Sequence, residues 1–128
     1  MELIHNELVY KIIGFAMEFH KTLGVVFLES VLESVYENAI IFKMRLQHII
    51  FQSQKKYPVN YKGKVIKDFI CDLIVENKIV VELKAIKRLG YIERAQIINY
   101  LKVTGHQLGL IINFGEKSLN YERIILTN

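Results

Sequence analysis

Residues Asp72 to Lys84 read DLIVENKIVVELK, and the way this stretch folds back on itself decides the fold. Two runs rich in β-branched residues meet at Glu76-Asn77-Lys78, which marks a hairpin. A two-residue loop at Asn77-Lys78 would pair Leu73 with Glu82 and put Asp72 and Glu82 on opposite faces. A three-residue loop centred on Asn77 pairs Asp72 directly with Glu82; such loops want one left-handed residue, which asparagine tolerates. In that register Asp72, Glu82 and Lys84 share a face, because side chains alternate with a period of two. Leu73, Val75, Ile79, Val81 and Leu83 then fill the other face, so the apolar pattern favours the register that gathers the charges. Directly opposed Cβ atoms lie about 5 Å apart. Two carboxylates at that spacing, flanked by Ile70, Ile74 and Val80, repel each other and need a cation, a shared proton or a nearby lysine. Hard oxygen ligands suit Mg2+ or Mn2+ better than zinc. A lysine two residues on could orient a water or stabilise charge on a phosphate. The same residues also fit an ordinary β-hairpin in which Glu82 and Lys84 form a surface ion pair.

Outward from the hairpin, Ile4 to Thr22 carries apolar residues at helical spacing, with Leu23-Gly24 as its stop. Phe27 to Gln47 reads as a second helix. Ile49 to Tyr61 is β-branched and aromatic and holds the only proline, Pro58, which implies an edge or an end. A turn at Tyr61-Lys62-Gly63-Lys64 leads into strand Val65–Glu76, and strand Ile79–Ala85 follows. Ile92 to Thr104 reads as a helix closed by Gly105. Gln107 to Phe114 is almost wholly apolar, as in a strand covered on both faces, and Leu119 to Leu126 reads as a last, edge strand. The order ααβββαββ implies an α/β (α+β) fold: a mixed β-sheet flanked by helices.

The chain has 128 residues, the size of one domain, and no Pro/Gly/Ser-rich linker divides it. Hydrophobic residues at 52% and charged residues at 23% argue against disorder. One cysteine rules out a disulfide framework and a multi-cysteine zinc site; Cys71, beside Asp72, is expected on the opposite, apolar face. No apolar run reaches the ~18 residues of a spanning helix. Glu2 and Glu7 stand where a secretory leader would carry positive charge, so a cytoplasmic protein without membrane association is expected. Lys plus Arg total 17 against 13 Asp plus Glu, and the net +4 permits a nucleic-acid partner without demanding one.

Asp72, Glu82 and Lys84 resemble the D…(D/E)-x-K motif of the PD-(D/E)XK nuclease superfamily, whose core is restriction-endonuclease-like. Gln96 and Tyr100, four apart on the third helix, are similar to the Q-x-x-x-Y element of its RecB-type exonuclease branch. A fuller resemblance is to the GxxExxY family within that superfamily. Ile12-Ile13-Gly14, Glu18-Phe19-His20, Leu23-Gly24, Leu28-Glu29-Ser30-Val31 and Glu33 to Glu37 match its N-terminal signature; Val81 to Ala85 and Gly109 to Gly115 match later blocks. One departure stands out. Residues 28–35 read LESVLESV, a tandem repeat that looks like a four-residue insertion. Counted from Gly24 the family glutamate falls near Glu29; counted back from Tyr36 it is Glu33. Four residues add about 40° net around a helix, so both stay on nearly one face; Glu33 is favoured because it keeps its spacing to Tyr36.

The resemblance implies a single PD-(D/E)XK nuclease-like domain over residues 1–128 that hydrolyses nucleic-acid phosphodiesters with Mg2+ (or Mn2+). Glu33, Asp72 and Glu82 would hold the metal, and with Lys84 they form the expected catalytic set. Gln96 and Tyr100 would steady Lys84 or a bound phosphate. Glu29 is the alternative helix carboxylate. His20 would assist the metal, contact a phosphate or cap its helix. Lys87 and Arg88 directly follow the motif strand and could reach phosphates. DNA is the expected partner, with specificity left to a homo-oligomer or a protein partner. The alternative is a catalytically inactive nuclease-fold binding module.

Overall fold

A computed structural model describes residues 4–23 and 29–127; for residues 29–32 only the backbone is described. Helices α1 (Asn6–Leu23) and α2 (Glu29–Leu46) precede strands β1 (Phe51–Tyr61), β2 (Lys64–Val75) and β3 (Ile79–Lys84). Helix α3 (Tyr91–Thr104) and strands β4 (Leu108–Asn113) and β5 (Asn120–Ile125) complete the chain. This is the expected ααβββαββ order, narrowed by a residue or two at several ends. The Gly24 helix stop, and Phe27-Leu28 at the expected start of the second helix, lie outside the described residues.

The five strands form one mixed sheet in the order β1-β2-β3-β4-β5. All neighbours are antiparallel except β3 and β4, which run parallel with α3 as their crossover. Pro58 sits on edge strand β1, where a missing N–H costs no interior ladder bond. Every residue of β4 is buried, as its uninterrupted apolar run requires.

Helices cover both faces. On one, Val9, Ile12 and Ala16 of α1 and Tyr36, Ile40 and Met44 of α2 recur at one-turn intervals and pack on Leu73, Val75, Ile79, Val81 and Leu83. Tyr36 lies flat on Phe114, ring centroids 3.8 Å apart. On the other face, Tyr100 and Leu101 of α3 pack on Cys71, Ile74 and Val80. Helix α3 starts at Gly90, whose N–H donates to the Glu93 carboxylate at 2.8 Å, and ends at Gly105, whose N–H reaches the Leu101 carbonyl. Among the described residues no helix is long and apolar enough to cross a membrane.

Cys71 departs from expectation. It is fully buried, but in the α3 layer with Tyr100 rather than on the face of Leu73 and Val75. Strict alternation would give Cys71 and Leu73 the same side. The alternation slips by one residue at Asp72, and it slips at the same level on β1, where Gln54 takes a left-handed φ of 51° between Ser53 and Lys55. The two strands therefore turn over together at the level of Asp72.

Candidate active site

The turn between β2 and β3 is three residues long, and Leu73 pairs with Val81, Ile74 with Val80 and Val75 with Ile79. This is the register that sets Asp72 against Glu82. Two residues, not one, are left-handed: Glu76 at φ 52° and Asn77 at 53°. Glu76 is held there by Ile50. Its N–H donates to the Ile50 carbonyl at 2.8 Å, and its carboxylate accepts the Ile50 N–H at 3.2 Å.

The paired ladder of β2 and β3 ends at Leu73 and Val81, while β3 stays paired to β4 as far as Lys84 opposite Asn113. Where the strands part, backbone groups lose their ladder partners and side chains replace them. Asp72 Oδ2 accepts the Leu83 N–H at 2.9 Å, and Glu82 Oε1 accepts the Asp72 N–H at 3.4 Å. The two carboxyl groups are thus laced across the gap. Glu82 is only 5% exposed. Burial first, and then the Asp72 charge, push its carboxyl well above the usual carboxylate range, against the opposing pull of the Asp72 N–H and Lys84. Burial and the same two carboxylates push the Cys71 thiol and the Tyr100 hydroxyl up to about 12.

Lys84 and Gln96 come together as expected: the ammonium Nζ donates to Gln96 Oε1 at 3.1 Å. Tyr100 is both core and neighbour of the site, edge-on to Phe69 at 5.3 Å and within the field of Glu82 and Asp72. Lys87 and Arg88 are exposed on the loop that leaves β3, next to the buried anchor Leu89. His20 is buried, and a carbonyl can only accept, so its Nε2 carries the proton that reaches the Glu116 carbonyl at 2.7 Å. That bond ties α1 to the β4–β5 loop.

Sequence reasoning missed two residues. Glu37, half-buried on α2, accepts bonds from the Gln54 amide at 2.9 and 3.2 Å, and the same amide nitrogen reaches Asp72 Oδ1 at 3.3 Å. Glu37 is therefore an α2 carboxylate linked to Asp72 through Gln54. Burial raises its carboxyl too, against the opposing Gln54 bond and with a smaller push from the Asp72 charge. Glu33 lies one turn earlier on the same helix face, and the Glu29 side chain lies outside the described residues. The signal for Gln54 was the slip in alternation, which only three-dimensional pairing exposes.

Two facing carboxyl groups at a split in a sheet, one of them buried, offer oxygen donors to a hard cation. Among the described residues no three His, Cys, Asp or Glu side chains converge to make a complete cage. Carboxylate oxygens are hard donors and suit a divalent cation that takes oxygen ligands.

This combination of mixed sheet, flanking helices and D…E-x-K hairpin defines a restriction-endonuclease-like core. The family profile of the PD-(D/E)XK nuclease superfamily matches residues 6–124, and the chain belongs to that superfamily. Among solved structures, the protein SSO0001 superposes with a TM-score of 0.61 at 18% identity, over 77% of this chain. The match spans about half of that protein, 52% of its length. An alkaline exonuclease from Laribacter hongkongensis aligns with 99% of this chain and 73% of its own, at 12% identity and a TM-score of 0.46. No curated protein sequence matches the chain at a significant level.

Proposed function

We propose that the protein is a Mg2+- or Mn2+-dependent nuclease of the GxxExxY branch that hydrolyses phosphodiester bonds of DNA. The observation that carries this reading is the buried Glu82 carboxyl facing Asp72 where β2 and β3 part, in a chain of the PD-(D/E)XK superfamily. Asp72 and Glu82 hold the cation, with Glu33 as the ligand from α2. The bound cation supplies Lewis acidity and charge neutralisation at the phosphate. Lys84, oriented by Gln96, positions the attacking water, and Lys87 and Arg88 take neighbouring phosphates. The branch assignment is supported by the ordered blocks from Ile12 to Gly115.

Glu82→Ala and Lys84→Ala should each abolish Mg2+-dependent cleavage of a labelled DNA while leaving the fold intact by circular dichroism. Cleavage that survives both substitutions in clean protein overturns the reading. One observation favours a second reading, a nuclease fold that binds without cleaving: the Gln54 amide stands between Glu37 and Asp72. Calorimetric titration separates the two, since metal binding lost in Asp72→Ala counts against a module that binds no metal.

A further inference from the structure

Strands β1 and β2 are 11 and 12 residues long, yet β3 pairs with only three residues of β2, from Leu73 to Val75. From the level of Asp72 outward, β1 and β2 pair, among the described residues, only with each other, as a two-stranded ribbon over residues 55–71. At its base Tyr57 and Phe69 pack on α3, and residues 60–68 are exposed throughout. The tip is a two-residue turn, Lys62 at φ 49° and Gly63 at φ 80°, the paired left-handed geometry that matches strand twist and makes a stiff end.

The ribbon holds five of the chain's 17 basic residues and one of its 13 acidic ones. Twelve of each remain elsewhere, so the net +4 of the protein resides wholly in these residues. Lysines at 55 and 67 fall on the α3 side by alternation, Lys56 on the other, and Lys62 and Lys64 at the tip. Three of them lie over aromatic rings: Lys55 over Tyr57, Lys67 over Phe69 and Lys62 over Tyr61, at 5.2 to 5.5 Å. The rings thus pre-orient the ammonium groups.

We propose that this ribbon is an arm that grips the phosphate backbone of a nucleic-acid duplex and lays it across the Asp72–Glu82 gap. Eight residues separate Asp72 from Lys64, about 27 Å of strand, or roughly eight phosphates along one strand of a duplex. A two-stranded ribbon is also an element that a major groove admits. The arm is rooted at Gln54 and Asp72, so any duplex it holds is already in register with the carboxylates. The inference rests on the nucleic-acid reading above but not on cleavage.

The test is binding of a labelled 20-base-pair duplex across a salt series without divalent metal, so that no cleavage intervenes. Lys62→Ala/Lys64→Ala/Lys67→Ala is compared with Lys11→Ala/Lys21→Ala/Lys117→Ala, which removes the same charge from exposed positions off the arm. The arm variant should lose about 2.7 from the slope of log affinity against log salt, at ~0.9 per phosphate contact. Its affinity deficit should shrink about 40-fold between 50 and 200 mM salt, while the control keeps the wild-type slope. An equal loss in both variants, an unchanged slope in the arm variant, or a single strand bound as tightly as the duplex overturns the proposal. So does a dimer that Val65→Thr/Ile66→Thr splits, since the ribbon would then serve self-association. Wild-type cleavage is scored separately with Mn2+: binding through the arm without cleavage retains this proposal and removes the previous one.

Discussion

A carboxyl group that is 5% exposed and faces another carboxylate can be stable in two ways, protonated or against a cation. Glu82 is in that position. Lys84 shares its ammonium with Gln96, and Asp72 already accepts the Leu83 and Gln54 donors. Glu33 and Glu37 are four apart and share a face of α2, and Glu37 is hydrogen-bonded to the Gln54 amide that also reaches Asp72. If Glu33 is a direct ligand and Glu37 acts through Gln54, Mn2+ affinity measured by calorimetry should fall more than 100-fold in Glu33→Gln. In Glu37→Gln it should fall about tenfold, the scale of an outer partner. The reverse ranking transfers the role to Glu37 and reads the LESV repeat differently. The sequence could not reveal this pairing, because Gln54 turns toward α2 at a strand irregularity that no periodicity announces.

At the scale of elements, the loop from Ala85 to Gly90 must carry Lys87 and Arg88 away from β3 without letting the motif strand shift. Its anchor is Asn113 at the end of β4, fully buried. Asn113 Oδ1 accepts the Ile86 N–H at 3.0 Å, and Nδ2 donates to the Ile86 carbonyl at 2.9 Å and to Glu116 Oε2 at 2.7 Å. Gly115 follows, and a Cβ there would overlap the backbone of Ile86. Gly115→Ala should therefore destabilise by about 2 kcal/mol through overpacking. Asn113→Ala should cost about 1–3 kcal/mol for each buried Ile86 group left unpaired. Both are read as drops in melting temperature. An unchanged melt for Gly115→Ala would mean that the two loops can part at no cost. Helices, strands and their order were legible from periodicity and turn residues. The clamp was not, because Asn113 looks like an ordinary strand-end asparagine until the parallel pairing of β3 and β4 puts Ile86 in its reach.

For the molecule as a whole, legibility followed physics. The hairpin register was readable because one face of β2 and β3 is uniformly apolar, and a one-residue slip would expose all of it. The side taken by Cys71 was not, because two strands turn over together at Asp72 and Gln54. That same turnover leaves a buried carboxyl group facing a second one inside a folded domain, and global stability should register it. Glu82 has a raised carboxyl in the folded protein and an ordinary one when unfolded, so in the window between those values the folded state binds more protons. Its contribution is harmless below the ordinary glutamate range, where both states are protonated, and turns destabilising as pH rises toward the raised value. Glu37 adds the same sign, so the measure is the difference between wild type and Glu82→Gln, melted without metal across a pH series. Wild type should fall progressively below Glu82→Gln as pH rises and then run parallel to it. Mg2+ or Mn2+ should reverse this, because the cation replaces the proton. At a hundredfold excess over its dissociation constant it stabilises by about 2.7 kcal/mol, a rise on the order of 10 °C for a domain of this size. That rise should grow with pH in wild type and vanish in Glu82→Gln. A flat difference between the metal-free proteins would refute burial as the cause of the shift. A metal-induced rise that persists in Glu82→Gln would remove Glu82 from the ligand set.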